Sequence, residues 1–509
     1  MAVIFTFLVF FISVLLLSSL FLVGTGRRRR PPLPPGPKGW ALLGNLLQLG
    51  TKPHRTLQAL SQSHGSAGLL RLRLGTVDAI VISSASAAAK CFRSHDAILT
   101  SRPPNSVGKY ITYNFEDLIM APYGPRWQML RKVCSTHLLS TKALDSFRHV
   151  WDEDVAMDVR ELTSGREAAV DVGGLVNTCV TNALAHVLIG RQEIVGGEEA
   201  AEFKEIAAEM TTLAGQFNVG HFIPWIGWLD LQDLNKKMMK SRVRFGEFLE
   251  KIIEEHSSKG IDYAKDFLSV LIQINGEPNA KHDELTNINI KALLQDMFIA
   301  GTDTTSITIE WLLSELLRHP HILARAQHEL DSVAGRNRLI SQSDLPKVPF
   351  LDAIVKETLR LHPPVPLSVP RMATEDCEID GYLIPKGAYL LVNIWAIGRD
   401  LATWHDDPNE FDPDRFVPGS PHESADVKGI NNFELIPFGA GRRRCAGTKL
   451  GIRMVHFVTA MMLHAFDWTL PDGSMGDLLD MEESYGATMP KTRPLMAKAT
   501  PRLAPQAYL

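Results

Sequence analysis

The sequence predicts a mainly α-helical protein with small β-sheets (α+β), one large domain carried behind an N-terminal membrane anchor. Three observations lead there. The longest helical pattern, NINIKALLQDMFIAGTDTTSITIEWLLSELLR at residues 287–318, is apolar on most faces and is closed by the proline of His319-Pro320, so it belongs at the centre of a helical core. Period-two alternation is confined to short runs: LLRLRLG from Leu69, AIVIS from Ala79, and the two apolar arms around the Asp-Gly turn of EIDGYLIP, a hairpin pattern. Residues 2–23 hold no charged side chain and are long enough as a helix to cross a bilayer.

Each segment follows in order. A signal peptide is the competing reading of the N-terminus. The run lacks a positive n-region, exceeds a usual h-region and is followed by Arg27, Arg28, Arg29 and Arg30 instead of a small-residue cleavage site, which favours a retained anchor over residues 1–23. The arginines keep the downstream side in the cytosol. Residues 24–40, basic and then proline-rich in PPLPPGPKGW, read as a semi-rigid hinge. Residues 41–509 show no second linker, low-complexity tract or repeat, and read as one domain. A chain of 509 residues that is 45% hydrophobic buries a large core, and a formal net charge of −4 argues against nucleic acid as a partner. Cys91, Cys134, Cys179, Cys377 and Cys445 stand singly and are odd in number, which speaks against a disulfide framework, a structural zinc site or an iron–sulfur cluster.

The candidate chemistry is spread over several motifs, each with an ordinary meaning when taken alone. AGTDTT, residues 300–305, puts polar groups into the central helix: Asp303 is a satisfied core carboxylate, or an acid beside the Thr304 hydroxyl forming a proton relay. Thr304 bonding back to the carbonyl of Ala300 would open a groove beside Gly301. WQMLR places Trp127 and Arg131 one helical turn apart. Glu357 and Arg360 in KETLR form a surface ion pair, or a buried network if shared with Arg415 of FDPDRF.

FGAGRRRCAG, residues 438–447, sets Cys445 just ahead of a helix-like run. A lone cysteine is ordinarily a small buried apolar group. Here a helix N-terminus and neighbouring cations favour the thiolate, the form that binds metal. Gly439, Gly441 and Gly447 let backbone N–H groups and a flat ligand approach the sulfur, and Phe438 can cover it from water. Arg443 and Arg131 suit a ligand with carboxylate arms. Arg444 stands where a dinucleotide fingerprint needs its third glycine, and no Walker, G-x-S-x-G or H-E-x-x-H sequence occurs.

Together WQMLR, AGTDTT, KETLR, FDPDRF and FGAGRRRCAG resemble, in order and spacing, the motifs of the cytochrome P-450 monooxygenases. The resemblance implies the fold of that family and haem b, with Cys445 as axial thiolate to iron in a loop that includes Phe438, Gly441 and Gly447. It implies Asp303 and Thr304 as the acid–alcohol pair, Trp127, Arg131 and Arg443 as propionate partners, and Glu357, Arg360 and Arg415 as a structural triad. Electrons then come from NADPH through a separate FMN/FAD cytochrome P-450 reductase, docking on Arg442, Arg444, Lys449 and Arg453. The implied location is the endoplasmic reticulum membrane, single-pass, with the catalytic domain in the cytosol. SRPPNS, MAPYGPRWQMLRKVC, NIWAIGRD and EESYGAT resemble the plant flavonoid B-ring hydroxylases, the 3'-hydroxylating members more than the 3',5'-hydroxylating ones because of Thr488. Ala300 and Thr488 are the implied contacts to a small phenolic substrate. The alternatives are 3',5'-hydroxylation, another phenylpropanoid monooxygenase, or a haem-dependent isomerase or dehydratase needing no reductase; that last kind commonly loses the acid–threonine pair retained here.

Overall fold

The computed structural model describes residues 30–164, 168–191, 198–258, 266–276, 285–473 and 476–509. The expected anchor, residues 1–23, lies outside the described residues, as does the start of the hinge. The rest of the hinge differs from a free spacer. The carbonyl of Pro35 accepts the Arg71 N–H at 2.9 Å and that of Pro32 accepts the Leu383 N–H at 2.8 Å, so the proline run is laid down on two sheets. Prolines lack N–H donors but keep their carbonyls, which suits a strand edge.

The sheets are small, as expected. Leu69–Leu74 and Val77–Ile82 pair antiparallel, from Leu69↔Ile82 to Leu74↔Val77. Val77–Ile82 then pairs in parallel with Tyr389–Val392, which pairs antiparallel with Arg371–Met372. A second sheet joins Val170–Asp171, Met496–Pro501 and Phe466–Thr469. The Asp-Gly hairpin forms between Cys377–Ile379 and Tyr382–Ile384, with Asp380 and Gly381 at φ 52° and 77°, the left-handed pair that a two-residue turn requires.

Helices make up the remainder, arranged around Asn287–Arg318. Thr286 begins this helix by accepting the Asn289 N–H, while the Asn289 side chain returns to the Thr286 N–H, a reciprocal cap that satisfies two orphan donors. Its side chains are buried along most of its length, but Ala300 is exposed in mid-helix, where the packing opens into a cavity. Val172–Ile189 lies against it; this is the one described helix long and apolar enough to cross a membrane, yet 67% of it is buried in the core.

The helix Pro349–Leu361 carries Glu357 and Arg360, both fully buried, which rules out the surface ion pair. Arg360 Nε and Nη2 donate to the two Glu357 oxygens at 2.6 Å each, a bidentate match. Its remaining donors reach the carbonyls of Gly398 at 2.7 Å, Pro408 at 2.6 Å and Glu410 at 3.0 Å. Glu357 also accepts the Asp412 N–H at 2.8 Å and lies 3.5 Å from Arg415 Nε, while Arg415 Nη2 donates to Asp407 at 2.7 Å. The three side chains thus pin residues 398–415, an irregular stretch with few backbone bonds of its own. Removing one partner strands a buried charge, so Glu357→Ala should destabilise the fold by about 3–5 kcal/mol. A urea-unfolding midpoint unchanged from wild type would contradict this.

Candidate active site

The cysteine loop leads directly into the helix Thr448–Ala465. The Phe438 carbonyl accepts the Cys445 N–H at 2.9 Å and closes the loop, and Thr448 Oγ1 donates to the Cys445 carbonyl at 2.9 Å. The glycines divide the work differently from the expectation. Gly441, at φ +64°, does not make room for a ligand: a Cβ there would stand 2.1 Å from Asp96 Oδ1, so the space belongs to a carboxylate. Gly447 is the glycine beside the sulfur, where a Cβ would lie 3.8 Å from Cys445 Sγ. The thiol is accessible and lines a cavity, with Phe438, Gly439 and Gly447 in the same wall. Burial pushes the Cys445 thiol above its ordinary value, against the pull of the Gly447 N–H, Arg131, Thr448 and Arg444. The expected helix and arginine contributions are present but are outweighed by desolvation, so the thiolate calls for a cation at the sulfur itself.

Arginines converge on the cavity. Arg443 is held by Nε to the Thr100 carbonyl at 2.8 Å and by Nη2 to the Ala121 carbonyl at 2.5 Å, while its Nη1 is buried without a hydrogen-bond partner. Among the described residues Arg131 makes no hydrogen bond or ion pair; its guanidinium lies 6.0 Å from the Trp127 ring. Trp127 departs from its expected role. Its indole N–H is committed to the Leu118 carbonyl at 3.1 Å, and its ring underlies Arg443 at 4.4 Å, a platform for the guanidinium.

Two arginines were not foreseen. Arg102, in SRPPNS, donates to the carbonyls of Ile119, Val369 and Pro370 at 2.8, 2.7 and 2.9 Å. Arg371, in SVPRMA, donates through Nη2 to the Ala440 carbonyl at 2.6 Å and leaves Nη1 without a hydrogen bond. Burial holds Arg371 down to about 10, and burial together with the Arg371 and Arg131 charges holds Arg443 down to about 10. Arg102 is depressed well below its ordinary range by burial and then by Arg443 and Arg371.

Across the cavity, Thr304 Oγ1 donates to the Ala300 carbonyl at 2.7 Å, as the sequence suggests, and Thr305 Oγ1 does the same to Gly301 at 2.7 Å. Ala300, Gly301, Thr304 and Thr305 line the wall. Asp303 does not. Its carboxyl is directed to Thr211 on the helix Glu198–Gly215, and burial raises its affinity for a proton. Thr488 is likewise absent from the wall. Its loop is pinned by the Met489 N–H to the Pro364 carbonyl at 2.9 Å and by the Trp311 indole to the Met489 carbonyl at 3.0 Å, which places Pro364 and Val365 at the cavity ahead of it.

The expected docking patch is partly neutralised. Arg442 pairs with Asp96 at 3.2 Å and Arg453 with Asp145 at 2.7 Å, whereas Arg444 donates to the Lys428 carbonyl at 2.9 Å and Lys449 to the Thr141 hydroxyl at 2.8 Å. Arg444 and Lys449 therefore keep their charge uncompensated.

The model of the family described as Cytochrome P450 matches residues 34–496. This chain belongs to that family. It is 53% identical to a flavonoid 3'-monooxygenase of Crocosmia x crocosmiiflora over 99% of this chain and all of the relative, and 51% identical to a flavonoid 3'-monooxygenase of Petunia hybrida over 100% and 98%. A flavonoid 3',5'-hydroxylase of Crocosmia x crocosmiiflora is 48% identical over 98% of each chain. The P450 cofactor is haem, with electrons from a separate NADPH-dependent reductase. The residues fit it: a free thiol opens to the cavity beside Gly447, the buried Nη1 of Arg443 has no hydrogen-bond partner, and Arg131 and Arg371, the latter with only Asp96 at 3.5 Å from its Nη1, bring further positive charge for carboxylate arms.

One further buried pair stands at this P450 cavity, with one member on its wall. Asp296 lines it and accepts the Leu118 N–H at 2.8 Å, while Asp117 is fully buried and accepts the Met120 N–H at 2.9 Å. Burial pushes Asp117 up to about 6 and raises Asp296 well above its usual value, helped by the Asp117 charge. Carboxyls with raised folded-state values contribute stability that is fully present below the unfolded value, ~4, and lost as pH rises through the folded one. Asp296→Asn keeps an acceptor for Leu118 and removes the charge. Its melting temperature should exceed wild type at pH 7.5, with the difference shrinking toward pH 5; equal curves at both pH values would contradict the assignment.

Proposed function

We propose that this P450 hydroxylates the B-ring of flavonoids at the 3' position, on flavanones, flavonols, dihydroflavonols and flavones, and that residues 1–23 anchor it in the endoplasmic reticulum membrane with the catalytic domain in the cytosol. The observation that carries the reaction class is the meeting of two walls across one cavity: the Cys445 thiol on one side, the Ala300–Thr304 groove of the central helix on the other. The substrate class rests on the names of the full-length relatives, among which the 3'-monooxygenases at 53% and 51% identity precede the 3',5'-hydroxylase at 48%.

Bound haem supplies oxygen activation and insertion of an oxygen atom into a C–H bond. The chain supplies the rest. Thr304 donates its own proton to Ala300, which leaves its oxygen lone pairs turned to the cavity as acceptors. Asp303, kept receptive to protons by burial, is turned to Thr211, so its part in the relay requires its carboxyl to swing from Thr211 toward Thr304 Oγ1. Ala300 has no side chain beyond Cβ, so a flat phenolic ring can approach the helix backbone there. Arg443, Arg371 and Arg131 fix the cofactor's orientation, and Arg444 with Lys449 offers positive charge to the reductase on the cysteine side.

Membranes carrying this protein and a plant NADPH reductase, fed naringenin, apigenin, kaempferol and dihydrokaempferol, should give one added hydroxyl next to the existing B-ring hydroxyl. Two added hydroxyls would move the assignment to 3',5'-hydroxylation, and no product from any of them would refute the flavonoid reading. For the relay, Thr304→Ala should lower the product formed per NADPH consumed by about 10²-fold or more, the scale of positioned proton transfer, while peroxide-supported turnover persists. Full coupling in that variant would remove Thr304 from the relay.

A further inference from the structure

We propose that Asp96 is a positioning residue for the haem centre: it seats the loop that presents Cys445 and sets the balance of positive charge around the cofactor's carboxylates. Asp96 follows the helix Ala85–Ser94, more than 300 residues ahead of the cysteine loop in the chain. Its oxygens accept the Arg442 N–H at 3.2 and 3.0 Å and the Arg442 Nη1 at 3.2 Å. Its Oδ1 fills the notch left by Gly441, where a Cβ would stand 2.1 Å away. The segment is itself braced, since Thr100 Oγ1 donates to the Asp96 carbonyl at 2.5 Å and to Oδ1 at 3.3 Å, and the Thr100 carbonyl receives Arg443 Nε at 2.8 Å. Residues 96–100 are thus an outer mould for residues 440–443.

Charge makes the second half of the argument. Arg371 Nη1 lies 3.5 Å from Asp96 Oδ1, and Arg371 Nη2 holds the Ala440 carbonyl of the same loop. Among the described residues, Asp96 is the one carboxylate within 4.0 Å of a nitrogen on Arg102, Arg131, Arg371 or Arg443. It stands just behind the cavity wall as the carboxylate paired with these guanidinium groups, while Asp296, on the wall itself, is held toward its protonated form by burial. Neutralising it leaves the site one unit more positive in a low-dielectric setting, which favours the form of the haem carrying an extra electron.

The test is a spectroelectrochemical titration of haem-loaded protein together with its carbon monoxide difference spectrum. Asp96→Asn preserves size and an acceptor oxygen. It should keep the thiolate-type band yet hold about tenfold more haem reduced at a fixed poise, ~59 mV for a one-electron couple. Asp96→Ala should in addition lose the thiolate-type band faster on standing, because the Gly441 notch is empty. An unchanged potential in Asp96→Asn with an intact band overturns the electrostatic role, and an unchanged band lifetime in Asp96→Ala overturns the seating role. If Asp96→Asn does not assemble with haem, Arg442→Gln decides. The backbone N–H of residue 442 stays on Asp96 while a cation is lost, so the potential should fall, and no change overturns the proposal. A merely structural aspartate would shift folding yield without moving potential in opposite directions in the two variants.

Discussion

The burial of several guanidinium groups around one cavity is the constraint on which the rest of this molecule depends. Arg102, Arg371, Arg443 and Arg131 line one cavity; burial lowers the proton affinity of the first three, neighbouring arginines lower Arg102 and Arg443 further, and Asp96 offsets part of the loss at Arg371. The fold tolerates them because backbone carbonyls from distant parts of the chain, at Thr100, Ile119, Ala121, Val369 and Ala440, turn inward to solvate the cations. Carbonyls supply partial charge only. Asp96 supplies one full negative charge and the carboxylates of the cofactor would supply more, so cofactor binding and folding are linked by mass action, and the protein without haem is the less stable form.

The central helix answers the same cavity from the other side by giving up regular packing over one turn. Elsewhere it is sealed, with Trp311 stacked on His362 at 4.2 Å and His362 bonded to Glu315 at 2.7 Å. Around Ala300 the neighbours withdraw, and hydroxyls at Thr304, Thr305 and Thr308 return their protons to the helix's own carbonyls at 2.7 Å each. A polar turn can then border an apolar chamber without orphaned donors. The triad of Glu357, Arg360 and Arg415 plays the corresponding part for residues 398–415, an irregular segment that needs external hydrogen bonds to hold one conformation.

Much of this was legible in the sequence because the informative signals are local. The helix at 287–318 is delimited by apolar periodicity and a proline, the Asp380-Gly381 hairpin by turn chemistry, and the back-bond of Thr304 by the i−4 geometry of any helix. The triad was legible in part: the Glu357–Arg360 spacing is common, and only burial, which no spacing reveals, separates it from a surface pair. Arg102, Arg371 and Asp96 were not legible. Each acts through partners scores to hundreds of residues away, and none lies in a periodic or glycine-marked stretch that announces its neighbour. The errors have similar origins. Gly441 and Gly447 look alike as letters in a loop, yet one yields to Asp96 and the other to the sulfur; Trp127 has the right helix face but a nearer acceptor in Leu118.

The parallel pairing of Val77–Ile82 with Tyr389–Val392 carries a consequence for the birth of the protein. The earlier strand leaves the ribosome some 300 residues before its partner, which at 5–20 residues per second is about 15–60 s. Throughout that interval the hairpin of Leu69–Leu74 and Val77–Ile82 offers one unpaired, apolar edge, that of Val77–Ile82. The proline run that docks at Arg71 lies just ahead of that hairpin and is synthesised with it. Pro35 covers the outer edge of Leu69–Leu74, so the hairpin is closed to a stray strand on that side from the outset, and only the Val77–Ile82 edge is left to wait for Tyr389–Val392.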